Sequence, residues 1–272
     1  MTLFQYDFMR RAFIVGILLA TIIPCIGIIV VQKRLSMIGD ALSHTSLAGV
    51  AAGLILNINP ILGAVVACIA AALSIEAIRK RIPKFSEMSI AIIMSAGIGL
   101  AGVLSGFVKN AANFNSFLFG SIVAISDFEL IMVIAVSIAV MLSFIFLFKE
   151  LFYVAYDEQA AKLAGIPVKT VNFIFTILTA VTVSAAARTV GALIVSSLMV
   201  LPVACGMRFG KSYRQTVIYS VAFGILFTIA GLFISYYASL KPGATIVLVG
   251  VISLVFIMII QSIFHRGVGN NA

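Results

Sequence analysis

A succession of long apolar segments constrains this chain more than any other feature of its sequence. A helix needs about 20 mainly apolar residues to cross the roughly 30 Å hydrocarbon core of a bilayer. Nine segments meet this requirement: residues 11–31, 38–56, 60–78, 88–108, 128–148, 171–187, 189–207, 215–237 and 243–264. The pattern predicts an all-α polytopic membrane protein with about eight to ten transmembrane helices in a single domain over residues 1–272. A shorter apolar stretch, 116–126, is interpreted as a re-entrant or interfacial segment.

The composition excludes a soluble protein. Hydrophobic residues make up 62% of the chain and charged residues 10%, whereas soluble proteins average about 45–50% apolar and about 25% charged residues. The formal net charge of +9 is attributed to cytoplasmic loops rather than to nucleic-acid binding. The three cysteines lie in apolar segments without CxxC spacing. We therefore expect neither a disulfide framework nor a thiolate metal site.

Lysine and arginine residues indicate the orientation of the spans, because they accumulate in cytoplasmic loops. Nine spans with the N-terminus outside and the C-terminus inside place 13 of the 18 Lys and Arg residues on the cytoplasmic side and 5 outside. Arg10 and Arg11 oppose this arrangement, since they lie at the outer end of the first span. That first apolar segment is too long for the core of a signal peptide, so we expect it to be a span.

The one substantial polar connection covers residues 149–170. It contains both charge signs and an Ala-rich run at 158–164, which stops at Gly165 with Pro167 just beyond. Glycine followed shortly by proline is typical of a helix end. We predict a short amphipathic helix here on the cytoplasmic face. The alternative is a solvated connector that binds no partner.

Asp40 and His44 are the most unusual residues, because an ionised side chain inside a membrane costs at least about 2.5–3.5 kcal/mol. They are four residues apart at the start of the second span, so on a helix they lie one turn apart on the same face. A carboxylate and an imidazole in this arrangement suit Zn(II), Mn(II) or Fe(II). Two protein ligands leave coordination positions open, which suits a site that releases its ion. The structural alternative is an Asp–His hydrogen bond at a helix interface.

Other polar residues near the spans have simpler interpretations. Glu76 precedes Arg79 and Lys80 by three and four residues, which favours an interfacial ion pair. His265, the only other histidine, adjoins the end of the last span and is expected to be solvated.

Three charged residues fall at predicted outer boundaries. Asp127 and Glu129 are expected to cap the helix that follows them. Arg188 lies between two spans, and its side chain is expected to extend to the membrane interface.

The sequence SMIGDALSHTSLAG at 36–49 resembles the permease subunits of bacterial ABC importers for zinc, manganese and iron. The matching positions are Gly39, Asp40, Ser43, His44 and Gly49. The sequences GALIVSSLMVLPVACGMRFG at 191–210 and YDEQAAKLAGIP at 156–167 are also similar to this family. The second of these corresponds to the segment that docks into the ATPase in such permeases.

The resemblance implies a type II-like importer in the bacterial cytoplasmic membrane. Its expected components are two copies of this permease, a cytoplasmic ATP-binding subunit and an extracytoplasmic metal-binding protein. Asp40 and His44 would line the path and contact the metal, which is transported as substrate rather than held as a permanent cofactor. Four residues would couple the chain to the ATPase: Asp157, Glu158, Ala161 and Gly165.

Within this family, the sequence most resembles the zinc branch. The alternative is import of manganese or iron by the same architecture. A different possibility is an ATP-independent secondary transporter or channel that uses Asp40 and His44 as a proton relay. An enzyme is not expected, because the chain has no nucleotide-binding motif and no HExxH.

Overall fold

The computed structural model describes residues 7–82, 85–108, 125–192 and 194–268, with side chains described as far as residue 263. The described residues form eleven α-helices and one π-helical segment. The helices are α1 Asp7–Gln32, α2 Ile38–Ile55, α3 Pro60–Arg81, α4 Ser86–Ser105, α5 Asp127–Phe146, α6 Phe148–Tyr156, α7 Glu158–Leu163, α8 Val168–Ala186, α9 Val195–Phe209, α10 Tyr213–Ala238 and α11 Pro242–Val268. The π-helical segment Ala187–Gly191 continues α8.

This architecture confirms the predicted all-α membrane fold. Eight segments of the described chain are long and apolar enough to cross a bilayer. Eight of the nine predicted spans match them, and the ninth, 189–207, is the shorter helix α9 of 15 residues. The predicted re-entrant segment at 116–126 lies largely outside the described residues. Lys109, one of the five Lys and Arg residues assigned to the outer side, also lies outside them.

The inner and outer helices of the bundle differ in burial. Helices α1, α2 and α8 are largely buried inside the chain, whereas α4 and α11 expose most of their apolar surface. In water such exposed surface would be unfavourable, but in lipid it lies against acyl chains. The candidate metal residues are therefore on a helix that other helices surround.

Side-chain contacts show which helix ends lie together. At one end, Arg11 of α1 pairs with Asp127 of α5, with 2.7 Å between Nη1 and Oδ1. At the other end, Lys33 donates a hydrogen bond to Asn172 at the start of α8. Helices α1 and α5 therefore run in the same direction, and α8 runs in the opposite direction. These directions agree with the predicted alternation of spans. Arg10 and Arg11, which opposed this arrangement in the sequence, both pair with acidic residues, since Arg10 contacts Asp7.

The capping prediction is confirmed for Glu129, whereas Asp127, the first residue of α5, pairs with Arg11. The expectation that Arg188 extends to the membrane interface is wrong. Glu129 forms a reciprocal capping box with Ser126 and also accepts from Arg188 Nε at 2.5 Å. The Arg188 side chain is only 18% exposed, so it is paired inside the protein rather than extended to the membrane interface. The predicted ion pair of Glu76 is present, with Arg79 at 2.8 Å and Lys80 at 3.4 Å.

Candidate metal site on the second helix

Asp40 and His44 lie on the first two turns of α2. The helix is regular between them, so a rise of about 1.5 Å per residue separates them by about 6 Å along its axis. Both residues are partly exposed, whereas Gly39, Ala41 and Ser43 are buried. The accessible face continues to Met37, which is 52% exposed. Asp40 and His44 therefore share one accessible face in the first two turns of a helix that is about two-thirds buried.

Glycines allow the neighbouring helices to approach α2 closely. A Cβ on Gly49 would lie 2.3 Å from the carbonyl oxygen of Gly63 on α3, and a Cβ on Gly63 would lie 2.4 Å from the oxygen of Gly49. On the other side, a Cβ on Gly97 of α4 would lie 2.7 Å from the Thr45 hydroxyl. These backbone contacts fix the rotation of α2 and hence the direction in which its accessible face points.

A cavity of about 490 Å³ lies beside the N-terminal end of α2. It is lined by the end of α1, the turn into α2 and the first turns of α4, with Arg34, Met37, Glu87 and Met94 among its residues. Met37 belongs both to this cavity and to the face that carries Asp40. The candidate metal residues thus lie close to an open space at the end of the bundle where Lys33 contacts Asn172.

The described part of the chain offers no cluster of three or more His, Cys, Asp or Glu side chains that could hold a metal ion. Asp40 and His44 alone therefore provide two ligands. The alternative Asp–His hydrogen bond is not among the hydrogen bonds of the described residues, since none joins these two side chains. Cys68 is fully buried and its thiol donates to the Leu42 carbonyl at 3.3 Å, so it faces away from the pair.

The predicted coupling segment forms two helices, where the sequence predicted one. Asp157 caps α7 by accepting from the backbone N–H groups of Gln159 and Ala160 at 2.9 and 3.0 Å. The helix ends before Gly165, whose φ of +80° needs a residue without a side chain. Ala161 is 1% exposed and packs against the rest of the chain.

The sequence analysis did not select the large apolar side chains that are exposed on either side of α7. Tyr156 is 82% exposed and Leu163 is 91% exposed, on either side of α7. Their apolar character was visible in the sequence, but only the direction of the two short helices shows that they face outward. Lys33 and Asn172 were also missed, and a lone amide at the start of an apolar segment was the available signal for Asn172.

Comparisons with known proteins agree with this architecture. The family model described as the ABC 3 transport family matches residues 5–261. The manganese import system permease protein ScaB of Streptococcus parasanguinis is 30% identical over 94% of this chain and 90% of its own length. The high-affinity zinc uptake system membrane protein ZnuB of Haemophilus influenzae is 29% identical over 90% and 94%.

A solved structure shows the same fold. PsaBC from Streptococcus pneumoniae, in complex with a Fab, superposes with a TM-score of 0.84 and 28% sequence identity. The match covers 94% of this chain and 92% of the compared chain.

Proposed function

Since the chain belongs to the ABC 3 transport family, we propose that this metal-transport permease of the bacterial inner membrane moves Zn(II) past Asp40 and His44. The observation that carries the proposal is their common, partly exposed face on a largely buried helix. An ionisable pair in such a position is energetically costly, and a functional role is therefore the expected reason for its presence. A divalent cation offsets the cost of burying the carboxylate and accepts the imidazole nitrogen as a ligand.

A second copy of the chain would complete the coordination. Two ligands are too few for a tetrahedral Zn(II) site, which takes four. If two copies face each other across the path, each contributes Asp40 and His44, and the ion gains up to four protein ligands. Opening this interface would return the ion to two ligands and water, which favours release. The homodimer thus supplies both binding and release without a third ligand from either chain.

The energy for transport would come from a separate ATP-binding subunit. The chain carries no nucleotide-binding motif, so its part is to provide the path. We propose that α6 and α7 contact that subunit through Tyr156 and Leu163, while Asp157 and Gly165 fix the two ends of α7. Ala161 would anchor α7 to the spans because its side chain is buried. An extracytoplasmic metal-binding protein would deliver the ion at the opposite face.

Manganese is the second candidate substrate. One relative is named for manganese import and another for zinc uptake, at nearly equal identity to this chain. An imidazole and a carboxylate can bind either ion, with Zn(II) favoured by its affinity for nitrogen ligands and its position in the Irving–Williams order.

The test is metal uptake by cells that express the whole complex, with Zn(II) and Mn(II) each offered alone and in competition. We expect saturable Zn(II) uptake, and its loss in an Asp40→Ala/His44→Ala variant that still assembles in the membrane. Asp7→Ala serves as a matched control, because it removes an aspartate whose side chain is 77% exposed at the start of α1. Normal uptake of metal in the double variant would refute the path. Uptake by liposomes that contain this chain alone would refute the ATP-driven mechanism.

A further inference from the structure

Lys33 occupies an enclosed position directly after the last residue of α1. Its ammonium donates a hydrogen bond to the Asn172 Oδ1 atom and lies 5.7 Å from the centre of the Phe175 ring. Burial and, to a smaller extent, nearby Arg79 lower the pKa of Lys33 to about 8 against the opposing effect of Glu158 and Glu76. Lys33 is partly buried, and removing even part of an ammonium group from water is costly. A lysine in a solvated loop would not need these contacts, so a role for them in the fold is expected.

Asn172 connects Lys33 to the coupling segment. It is 3% exposed, and its Nδ2 group donates to Glu158 Oε1, the first residue of α7, at 3.4 Å. An ammonium can only donate and a carboxylate can only accept, so just one orientation of the amide satisfies both neighbours. The order Glu158, Asn172, Lys33 is thus a directed chain of hydrogen bonds across three parts of the fold.

The turn from α1 to α2 is compact enough to transmit a displacement. Arg34 takes the left-handed conformation with φ of 58°. The backbone N–H of Leu35 donates to Val30 and that of Arg34 to Val31, at 2.9 and 3.0 Å, which is the Schellman pattern. Leu35 and Ile38 are 4% and 5% exposed. A turn with internal hydrogen bonds and buried anchors moves as a unit, and Asp40 lies only two residues beyond Ile38.

We propose that Asn172 and Lys33 are positioning residues that transmit movement of α7 to the metal pair on α2. A shift of Glu158 with its partner subunit displaces Asn172 and Lys33, and the compact turn carries this displacement to Asp40 and His44. This inference rests on the proposed function, since it concerns how ATP-driven movement reaches the site. It differs from a merely structural role, in which the same contacts would only hold α7 in place.

The test compares uptake with ATP hydrolysis in the reconstituted complex of permease, ATP-binding subunit and metal-binding protein. Asn172→Leu keeps the number of side-chain heavy atoms and their branching at Cγ and removes both hydrogen bonds, and Lys33→Met removes the charge. Lys80→Met is the matched control, because Lys80 is 57% exposed and its partner Glu76 keeps Arg79. We expect metal transported per ATP hydrolysed to fall about tenfold in Asn172→Leu and Lys33→Met, as loss of a hydrogen bond to a charged group allows, and to be unchanged in Lys80→Met.

A second measurement reports movement without transport. Met37→Cys places a thiol on the accessible face of α2, while the three native cysteines are at most 3% exposed. We expect its maleimide labelling rate to differ between nucleotide-free and ATP-bound complexes, and the difference to vanish when Asn172→Leu is added.

Unchanged transport per ATP in Asn172→Leu and Lys33→Met, or an undiminished labelling difference in Asn172→Leu, would overturn the inference. Equal losses of uptake and ATP hydrolysis would also overturn it, because they indicate a docking contact only. Uptake that survives Asp40→Ala/His44→Ala would instead refute the proposed path, while the labelling result would still decide whether α7 moves α2.

Discussion

Gly49→Ala tests whether close backbone contact between α2 and α3 holds the proposed metal helix in place. The added methyl group would lie 2.3 Å from the Gly63 carbonyl oxygen and 2.6 Å from the Ala67 Cβ atom. The nearest obstacle is backbone, so no side-chain rotation can relieve the contact. The two helices must separate by about 1 Å before the methyl group reaches an ordinary contact distance.

The expected cost follows from two opposing terms. Overpacking a well-packed interior costs about 1–3 kcal/mol, and replacing glycine by alanine within a helix returns about 0.5–1 kcal/mol. Because the obstacle at 2.3 Å is backbone, the upper part of the overpacking range, about 2–3 kcal/mol, applies, and the net loss is about 1–2.5 kcal/mol. For a chain of this size about 1 kcal/mol corresponds to about 2–4 °C in melting temperature, so we expect a decrease of about 2–10 °C.

Thermal unfolding of the purified protein in detergent measures this effect. Gly99→Ala on α4 is the matched control, because a Cβ there meets no atom within 4 Å. The same chemical change should leave that variant as stable as the parent or slightly more so. A Gly49→Ala protein that melts at or above the parent temperature, while Gly99→Ala behaves as expected, would refute the close contact.

Three further predictions concern stability and reactivity. The native pKa of Lys33 is about 8 and its ordinary value is 10.5, so the unfolded chain binds more protons between these values and stability should rise with pH across that window. Thermal melts of the parent should show this rise, and those of Lys33→Met should show less of it. An equal rise in both proteins would contradict the prediction. Glu129→Gln removes the charge of one partner of a buried ion pair and should lower the free energy of unfolding by about 3–5 kcal/mol. Adding Arg188→Met should restore part of the melting temperature, and a double variant no more stable than the single one would argue against the pair. The three native cysteines are at most 3% exposed, so maleimide should label them only after denaturation, and mass spectrometry of the folded protein would reveal any earlier reaction.

Predictions from the sequence succeeded where a short stretch of chain is sufficient to determine the outcome. The cap by Glu129 involves only the first turn of its helix, and the helix end at Gly165 needs one residue with positive φ. The ion pair of Glu76 with Arg79 depends only on helical spacing. Arg188 was misjudged because its partner Glu129 is 59 residues away, and no local pattern indicates such a pairing.

The candidate site divides in the same way. Spacing alone put Asp40 and His44 on one helical face, and their role as metal ligands stays a prediction. The sequence did not reveal that this face is accessible, because accessibility depends on which sides of α2 are covered by α3 and α4. It also did not reveal the contact between Lys33 and Asn172, which are 139 residues apart.

The sequence by itself determined the lipid environment of this protein, its helical class, eight of its predicted spans and the unusual acid–imidazole pair. These properties follow from composition and from periodicity within one segment, since each apolar segment must satisfy its own backbone hydrogen bonds in lipid. The tertiary structure alone decided how the helices pack and which face of α2 is left accessible. It also decided which distant charges meet. The physical reason is that packing between helices in a membrane depends on shape and polar contacts, and an apolar stretch gives little information about which neighbour it will touch.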